Sequence, residues 1–294
     1  MIVQKAGTIL LNLNSKQIGL VYRETDKNYS FPKGHLENGE TLKQCAIRET
    51  EEETLRSNHL LINEEICILK YTTPSGENVE CYYYISIDDG PTSKNVAVKD
   101  RETLKLVNYI DLENLLTYDS LNVLWEKIKN PIKSILDNNG NISPTILTDL
   151  GICPTCYDKK NNNCLYGDIS DKLLFENDKF KCFLVSNPRA DGHTIISTKQ
   201  HYKNMMDIPD ELCSEIFIIS KKVMNILKNI YNAESIYLCT MCDGPMNHFH
   251  IQLIPRYAFE KRGSKNFVKP RKDYIEDNDK IEKIRNLLKL EAIC

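Results

Sequence analysis

The stretch GHLENGETLKQCAIRETEEETL, residues 34–55, decides how the first half of the chain folds. Between Thr41 and Thr54 it contains neither proline nor glycine, which predicts a helix. Glu49, Glu52 and Glu53 are spaced i, i+3 and i+4, so they share one face of that helix. The same face runs back through Cys45, Ala46 and Leu42. The three acids are therefore expected on the side that faces the protein.

Three carboxylates on one partly buried face repel one another, and burial strengthens that repulsion. Mg²⁺ resolves it, since it prefers oxygen ligands, and it would neutralise a pyrophosphate and activate water. Arg48 is placed to pair with Glu52, or to reach Glu40 and Glu49 and orient them. An isolated group of glutamates is more often a solvated helix end, so the argument depends on the wider pattern.

The wider pattern is a set of fixed spacings. Five residues separate Gly34 from Glu40, seven separate Glu40 from Arg48-Glu49, and two separate Glu49 from Glu52-Glu53. Preceded by Phe31-Pro32-Lys33, this segment resembles the Nudix box, and the resemblance covers roughly residues 3–135.

The resemblance implies a Nudix α/β/α sandwich with a mixed sheet, and hydrolysis of a nucleoside diphosphate linked to another moiety. The catalytic residues that it implies are Arg48, Glu49, Glu52 and Glu53. The three acids, together with Gly34, are implied to bind Mg²⁺ or Mn²⁺. Lys33 is expected near the substrate phosphates. The sequence Phe-Pro-Lys-Gly-His is most similar to the branches that act on dinucleoside polyphosphates and diphosphoinositols.

Two positions depart from the Nudix box. Thr50 stands where a hydrophobic residue is usual, and Leu55 stands where glycine is usual. Glycine commonly takes the left-handed conformation after a helix, so Leu55 is expected to alter how the chain leaves the helix.

Three consecutive tyrosines, Tyr82 to Tyr84, lie on a predicted strand, where Tyr83 points opposite to its neighbours. We consider Tyr83 a candidate for stacking on a substrate base. Packing in the core is the alternative.

The chain is expected to form two α+β domains, residues 1–137 and 151–294, joined by a linker at 138–150. The linker is predicted from a polar, turn-rich run that is followed by Ser143-Pro144. Just before it, Leu121–Leu136 predicts a helix in which Pro131 makes a kink or a break. The second half predicts a long helix over Asp210–Ile230 and a helical tail near the end of the chain, Asp279–Leu290.

The segment HFHIQLIPR, residues 248–256, alternates polar and apolar residues and predicts a strand. His248, His250 and Gln252 then share one face. Imidazole can attack phosphorus and form a nucleotidyl-histidine that a second acceptor resolves. For a lone pair of histidines, an exposed strand face would be the better interpretation.

With Phe183–Pro188 and Gly192–His201 upstream, this segment resembles the histidine-triad (HIT) superfamily, in the HxHxQ form of its nucleotidyltransferase branches. The resemblance covers roughly residues 150–270 and implies an α+β domain with an antiparallel sheet. The roles that it implies are nucleophile for His250, phosphoryl contact for Gln252, and further substrate contacts for Asn187 and Asn247. Glutamine is neither an acid nor a base, so it fits transfer to phosphate better than hydrolysis, and both stay open.

A Cys-x-x-Cys pair, Cys153 and Cys156, is by itself weak evidence for a metal, because a complete zinc site needs four ligands. Some HIT relatives bind zinc with such a pair, a histidine after the second strand and the first histidine of the motif. Here these are His201 and His248, so the resemblance implies a structural Zn²⁺ site. Cys239 and Cys242 could instead complete a Cys₄ site, and a site without metal is a further alternative.

Composition limits the remaining classes. The net charge of −3 creates no basic field that would attract nucleic acid. No apolar stretch approaches the length of a membrane span, and the N-terminus lacks a signal-peptide layout, so a cytoplasmic protein is expected. With eleven cysteines, an odd number, free thiols and metal ligands are expected rather than disulfides. The basic stretch from Lys261 to Lys272 either steers polyphosphate or is a solvated tail.

The sequence thus predicts a bifunctional nucleotide enzyme that acts on a small nucleotide, with a dinucleoside polyphosphate as the leading substrate. RNA 5′-end or cap-nucleotide processing is one alternative, and a non-catalytic nucleotide sensor is another. The oligomeric state stays open, with the helix over Asp210–Ile230 as the candidate surface for a homodimer through the HIT-like domain.

Overall fold

The computed structural model describes residues 2–73, 75–94, 102–161, 165–167, 169–242, 244–275 and 277–290. The chain divides into two compact units, Met1–Ile152 and Cys153–Cys294. Each combines helices with its own sheet, so the predicted pair of α+β domains is confirmed. Among the described helices, none has both the length and the apolar character that crossing a bilayer requires.

The first unit is built on a mixed sheet. Its described strands are β1 (Ile2–Asn12), β2 (Gln17–Arg23), β3 (Asn28–Ser30), β4 (Lys33–His35), β5 (Arg56–Thr72), β6 (Asn78–Pro91) and β7 (Glu102–Asn108). Its described helices are α1 (Leu42–Thr54), α2 (Leu112–Leu115), α3 (Asp119–Asp137) and α4 (Pro144–Asp149). Strand β1 runs parallel to β6 and antiparallel to β2 and β4. The mixed character predicted for this sheet is therefore confirmed.

Helix α1 forms where the sequence predicted it and lies on β1 and β6. At its start, the side chain of Thr41 accepts a hydrogen bond from the backbone N–H of Gln44, and the side chain of Gln44 accepts one from the backbone of Thr41. This reciprocal pair satisfies two N–H groups that a helix start leaves without partners. Its buried residues Cys45 and Ala46 pack with Ala6 and the other apolar residues of this cluster.

Leu55, directly after α1, adopts the left-handed conformation with φ of 55°, and its N–H donates to the carbonyl oxygen of Glu51 over 2.9 Å. The expectation that Leu55 would change the exit from the helix is therefore wrong. The chain takes the usual path of a glycine, at a steric cost of roughly 1–2 kcal/mol for a residue with a Cβ.

The end of the first unit is helical. Helix α3 continues through Pro131 to Asp137, so the helix does not break at this proline. The segment 138–150 contains α4. The side chain of Ser143, directly before this helix, caps it by accepting a hydrogen bond from the backbone N–H of Ile146. Ile146 and Leu147 are buried. The boundary between the two compact units follows Ile152.

The second unit is built on an antiparallel sheet in the order β11-β12-β10-β9-β8, as predicted. The strands are β8 (Leu173–Glu176), β9 (Phe180–Leu184), β10 (Thr194–Thr198), β11 (Ser235–Cys239) and β12 (His250–Arg256). The described helices of this unit are α5 (Pro154–Asn161), α6 (Asp210–Ile230) and α7 (Asn278–Leu290).

The two faces of this sheet have different surroundings. Ile251 and Leu253 of β12 belong to a buried core that also contains Ile216 and Val223 of α6 and residues of α7. Side chains alternate along a strand, so His250 and Gln252 point to the opposite face. We call this second face, which carries His250 and Gln252, the outer face.

Candidate active sites and metal centre

On α1, the guanidinium of Arg48 joins the acids that the sequence placed near it. Its Nε donates to Glu40 over 2.8 Å, and its Nη1 donates to Glu49 over 2.9 Å and to Glu52 over 3.2 Å. Its Nη2 also donates to the carbonyl oxygen of His35 over 2.9 Å. The hydrogen bond from Arg48 lowers the pKa of the Glu40 carboxyl. Arg48 therefore ties the helix to the loop before it and orients two acids of the helix.

Gly34 lies directly against Glu49. A Cβ built on Gly34 would overlap the carboxyl group of Glu49, so no other residue fits without moving that group. Glu49 is 5% exposed. The requirement for glycine here comes from the close approach of a carboxylate to the backbone.

Glu53 is held by a second arginine that the sequence analysis missed. Arg23 on β2 donates from Nη2 to Glu53 over 2.7 Å, and the backbone N–H of Lys33 donates to the other oxygen of Glu53 over 2.9 Å. Burial raises the pKa of Glu53, although the positive charge of Arg23 opposes that effect. Arg23 also donates from Nε to Glu102 on β7 over 2.7 Å, and the second oxygen of Glu102 is buried without a hydrogen-bond partner.

The acids of this region carry the type of donor atom that a divalent cation prefers, but they are not gathered around one point. Glu49, Glu52 and Glu53 offer carboxylate oxygens, which Mg²⁺ prefers, and the unpartnered oxygen of Glu102 adds a buried negative charge beside Glu53. The three acids of α1 are divided between two arginines, because Glu49 and Glu52 contact Arg48 whereas Glu53 contacts Arg23. Among the described residues they do not form one close group of metal ligands.

The two proposed substrate contacts of the first unit differ in exposure. Lys33 is half-buried, burial lowers the pKa of its ammonium, and within the described part of the chain this ammonium has neither a hydrogen bond nor an ion pair. Tyr83 is 1% exposed and packs edge-on against Phe31, with ring centroids 6.0 Å apart. A ring buried in this way offers no face to a base, so the alternative of core packing describes Tyr83.

On the outer face of the second sheet, hydrogen bonds connect the imidazoles and Gln252. The Nδ1–H of His250 donates to the carbonyl oxygen of His248 over 2.9 Å, which leaves the lone pair on Nε2. The amide Nε2 of Gln252 lies 3.3 Å from this nitrogen and donates to it. Burial lowers the pKa of His250, so its ring is neutral near pH 7.

His193, whose role sequence reasoning missed, fixes the amide of Gln252. The backbone N–H of Arg189 donates to Nδ1 of His193 over 3.1 Å, so the ring proton lies on Nε2. Nε2 of His193 donates to Oε1 of Gln252 over 3.2 Å, and the amide nitrogen of Gln252 therefore points to His250. Burial lowers the pKa of His193 to about 4. The motif Gly192-His193 marked this residue, but only the fold reveals its partner, 59 positions away.

The sequence-predicted zinc ligands form one cluster. The ligand atoms of Cys153, Cys156, His201 and His248 all lie within 4.8 Å of one another. Sulfur-to-Nδ1 distances are 3.6 Å from Cys153 to His248, and 3.4 Å from Cys156 to each histidine. Zinc bonds of 2.0–2.1 Å to nitrogen and 2.3 Å to sulfur at tetrahedral angles place these atoms about 3.5 Å apart, so the cluster fits Zn²⁺.

The orientation of His248 also fits a metal ligand. Its Nε2–H donates to the carbonyl oxygen of Thr198 over 2.7 Å, which leaves Nδ1 unprotonated and directed at the cysteine sulfurs. The hydrogen bond from Cys156, together with His248, lowers the pKa of the Cys153 thiol and favours its thiolate. Cys239 and Cys242 are not part of this cluster.

Two asparagines that the sequence proposed as substrate contacts lie at the ends of this region. Asn187 is exposed, and its carbonyl oxygen accepts from Nη1 of Arg271 over 2.8 Å. Asn247 is half-buried, and its side chain donates to the carbonyl oxygen of Gly244 over 2.8 Å. The cysteines that the structure describes are free thiols, and Cys164 and Cys294 lie outside the described residues.

Carboxylates orientated by arginines in one unit, and an imidazole pair beside a Cys₂His₂ cluster in the other, define two separate candidate sites. The family model for the NUDIX domain matches residues 3–129, and the model for the HIT domain matches residues 166–259. The chain thus has a Nudix domain in its first unit.

Several known proteins and solved structures are similar to part of this chain. An uncharacterised HIT-like protein of Methanocaldococcus jannaschii is 35% identical over 99 residues, which are 31% of this chain and 73% of that protein. An adenosine 5′-monophosphoramidase of Candida albicans is 31% identical over 99 residues, or 31% of this chain and 64% of that protein. A crystal structure of an Ap4A hydrolase complex from C. elegans is 23% identical with a TM-score of 0.36, covering 46% of this chain and 98% of that one. The chain belongs to the HIT family, with a Nudix domain preceding the HIT domain.

The buried His193 predicts a defined loss of stability in acid. An unfolded histidine titrates near pH 6.5, whereas His193 in the folded chain titrates near 4, so between these values the unfolded chain binds a proton that the folded chain excludes. Lowering the pH from 7 to 4 should therefore reduce the free energy of unfolding through this group by up to about 3 kcal/mol. Denaturant unfolding at several pH values measures the effect. In His193→Asn the fall with pH should be smaller, and parallel profiles for the two proteins would contradict the assignment.

Proposed function

We propose that the chain is a bifunctional nucleotide enzyme. In this proposal the Nudix domain hydrolyses a phosphoanhydride bond of a nucleoside polyphosphate, and the HIT domain moves a nucleotidyl group through His250. The observation that carries the proposal is the hydrogen bond from Nδ1 of His250 to the carbonyl oxygen of His248, 2.9 Å long. It leaves the Nε2 lone pair as the atom that can attack phosphorus. A dinucleoside polyphosphate is the substrate class that suits both domains.

The proposed reaction in the HIT domain has two displacements at phosphorus. First, Nε2 of His250 forms a bond to the phosphorus while the bond to the leaving oxygen breaks, and the electron pair leaves with that oxygen. The hydrogen bond from Nδ1 to the carbonyl of His248 supports the positive charge that the ring then gains. An acceptor oxygen next attacks the same phosphorus, and Nε2 departs with its electron pair.

Gln252 is proposed to change its partner during this reaction. In the free protein its amide N–H donates to Nε2 of His250, and attack on phosphorus removes that lone pair. The N–H can then donate to a phosphoryl oxygen, since His193 keeps the other end of the amide in place. The amide of Gln252 cannot accept a proton, so water as acceptor must release its proton to solvent, whereas a phosphate dianion attacks through an oxygen that carries none.

In the first unit, the proposed ligands of Mg²⁺ or Mn²⁺ are Glu49, Glu52 and Glu53. Gly34, which lies against the carboxyl group of Glu49, is proposed as a further ligand. Such an ion would neutralise pyrophosphate charge and lower the pKa of a bound water. Burial raises the pKa of Glu53, which suits a general base near neutral pH. The ammonium of Lys33 has no partner among the described residues and is proposed to contact a substrate phosphate.

The relatives support the nucleotide class. Nudix and HIT domains together with the Candida albicans phosphoramidase favour hydrolysis or transfer on an adenosine nucleotide. Zinc at Cys153, Cys156, His201 and His248 is proposed to brace the start of β12, because His248 lies two residues before His250.

Incubation with diadenosine tetraphosphate and Mg²⁺, with and without inorganic phosphate, tests the proposed activities. Water as acceptor yields ATP and AMP, whereas phosphorolysis through His250 yields ADP and ATP only when phosphate is present. Glu53→Gln should reduce the Mg²⁺-dependent hydrolysis about 100-fold or more, and His250→Asn should abolish the phosphate-dependent product. Separation of the nucleotides by chromatography measures both.

Two variants serve as controls for these substitutions. Glu51→Gln changes a buried acid of the same helix that pairs with Lys94 instead of the site, and His59→Asn changes an exposed histidine that pairs with Asp89. Both should keep wild-type turnover. The proposal fails if Glu53→Gln and His250→Asn each leave the product pattern and the rates unchanged.

The proposed zinc site predicts one tightly held zinc ion per chain. Cys153→Ala should lose that zinc and lower the melting temperature of the second unit, because the Cys₂His₂ cluster would lack a ligand. Elemental analysis and thermal melting measure these effects. Cys239→Ala is the matched control and should keep both the zinc and the melting temperature. Equal metal content in the two variants would contradict the assignment.

A further inference from the structure

A segment beyond the matched HIT region lies along the loop that precedes β10. The backbone N–H of Lys272 donates to the carbonyl oxygen of Pro188 over 2.9 Å, and Nη1 of Arg271 donates to that of Asn187 over 2.8 Å. The matched region ends at residue 259, so this contact belongs to an extension of the domain. The last residues of the basic stretch, Arg271 and Lys272, are therefore attached to the loop, whereas Lys261, Arg262 and Lys265 are exposed to solvent.

The same contact brings two arginines together. Arg189 of the loop donates from Nη1 to the carbonyl oxygen of Lys269, while Arg271 comes from the extension. Partial burial lowers the pKa of Arg271, and the nearby charge of Arg189 lowers it further. Among the described residues neither guanidinium has an acidic partner within ion-pair distance, since their side chains contact backbone carbonyls. Two like charges are thus held near each other without an anion.

Arg189 also has an unused donor. Its Nε is buried and lacks a hydrogen-bond partner in the described part of the structure. A buried, charged donor without a partner destabilises the folded protein, and a bound anion that accepts its hydrogen bond would offset this cost. Because guanidinium groups match phosphate in shape and charge, phosphate is the anion that two arginines select best.

Both arginines act by their charge on His193, the residue that holds the amide of Gln252. The backbone of Arg189 is hydrogen-bonded to His193, which in turn bonds the side chain of Gln252. Cys239 is directly opposite Gln252 in the β11–β12 pair, and the charge of Arg189 acts on its thiol as well as on His193. The charge of Arg189 therefore reaches both neighbours of the glutamine that contacts His250.

We propose that Arg189 and Arg271 form a second phosphate subsite next to Gln252, which binds a phosphate group other than the one attacked by His250. This inference rests on the proposed reaction of the HIT domain and defines its substrate class further. It selects nucleotides with two or more phosphate groups, or a mononucleotide together with free phosphate as acceptor. In either case the subsite recognises a phosphate dianion or a bridging phosphate.

Kinetics with two substrates test the subsite, using Glu53→Gln as background so that the Nudix domain is inactive. Diadenosine tetraphosphate carries additional phosphates, whereas adenosine 5′-phosphoramidate carries one. Arg189→Met and Arg271→Met should each lower kcat/KM for the first substrate about 10- to 100-fold, the effect of losing a charge-assisted hydrogen bond. Hydrolysis of the phosphoramidate should stay within about threefold. Arg262→Met, which removes an exposed arginine paired with Glu234, is the control and should change neither.

The results distinguish the two sources of phosphate. Loss of the tetraphosphate reaction in both the presence and the absence of inorganic phosphate assigns the subsite to the substrate. Loss of only the phosphate-dependent product assigns it to the acceptor. Arg271→Lys keeps the positive charge but loses the paired N–H donors of the guanidinium. Its kcat/KM for diadenosine tetraphosphate should therefore lie between those of the wild type and Arg271→Met. Equal losses on both substrates, or no loss on either, would overturn the proposal.

A binding measurement separates this inference from the proposed function. Inorganic triphosphate, titrated into the same background in Mg²⁺-free buffer, should bind at least about tenfold more weakly when both arginines are replaced by methionine. If no nucleotide is turned over but this difference is found, the subsite stands and the proposed reaction fails. Equal binding of triphosphate by the two proteins would refute the subsite.

Discussion

In the second unit, three histidines each form a hydrogen bond between one ring nitrogen and the backbone. That bond determines whether the opposite ring nitrogen carries a proton or a lone pair. A backbone N–H fixes the proton of His193 on Nε2, and backbone carbonyls fix the protons of His248 and His250. The opposite nitrogen lies within hydrogen-bond distance of Gln252 in both His193 and His250, and it points at the cysteine sulfurs in His248. A change of tautomer would remove the proposed nucleophile in His250 or a proposed metal ligand in His248, and in His193 it would reverse the hydrogen bond that orients the amide of Gln252.

In the first unit, ion pairs orient the site residues, where hydrogen bonds to ring nitrogens orient them in the second unit. Two arginines from different elements divide the acids of α1 between them, so that the buried carboxylates of Glu49 and Glu53 each form an ion pair with a guanidinium. Arg48 lies on the helix itself, whereas Arg23 comes from β2. Glycine at position 34 leaves the space in which the carboxyl of Glu49 lies. Together these contacts fix the acids at the end of one rigid helix.

The sequence predicted those parts of the fold whose signals are local. Helix α1 and the alternation along β12 follow from short spacings, and the structure places them accordingly. The four residues of the Cys₂His₂ cluster, up to 95 positions apart, were named from the resemblance to the HIT family, and the structure brings them together. Both sheet types were also predicted, because the two motifs resemble families with known folds. The wrong expectation for Leu55 arose because a steric cost of roughly 1–2 kcal/mol is small enough for packing to outweigh.

Residues that act through distant partners could not be found in this way. Arg23 reaches Glu53 across 30 positions, and His193 reaches Gln252 across 59. The pairing of Arg189 with Lys269 spans 80 positions and depends on where the extension lies. No periodicity or spacing encodes such contacts, since they follow from how strands and loops pack. For the same reason, the sequence could not distinguish between two roles for Tyr83, a substrate contact and a core residue. In the structure Tyr83 is buried.

The tautomers of the histidines test this account most directly. In protein labelled with ¹⁵N in the imidazoles, long-range proton–nitrogen correlation spectra near pH 7 identify which ring nitrogen carries the proton. The account predicts a proton on Nδ1 for His250 and on Nε2 for both His193 and His248. A neutral His250 with its proton on Nε2 would contradict it, because the atom assigned as the nucleophile would then have no lone pair.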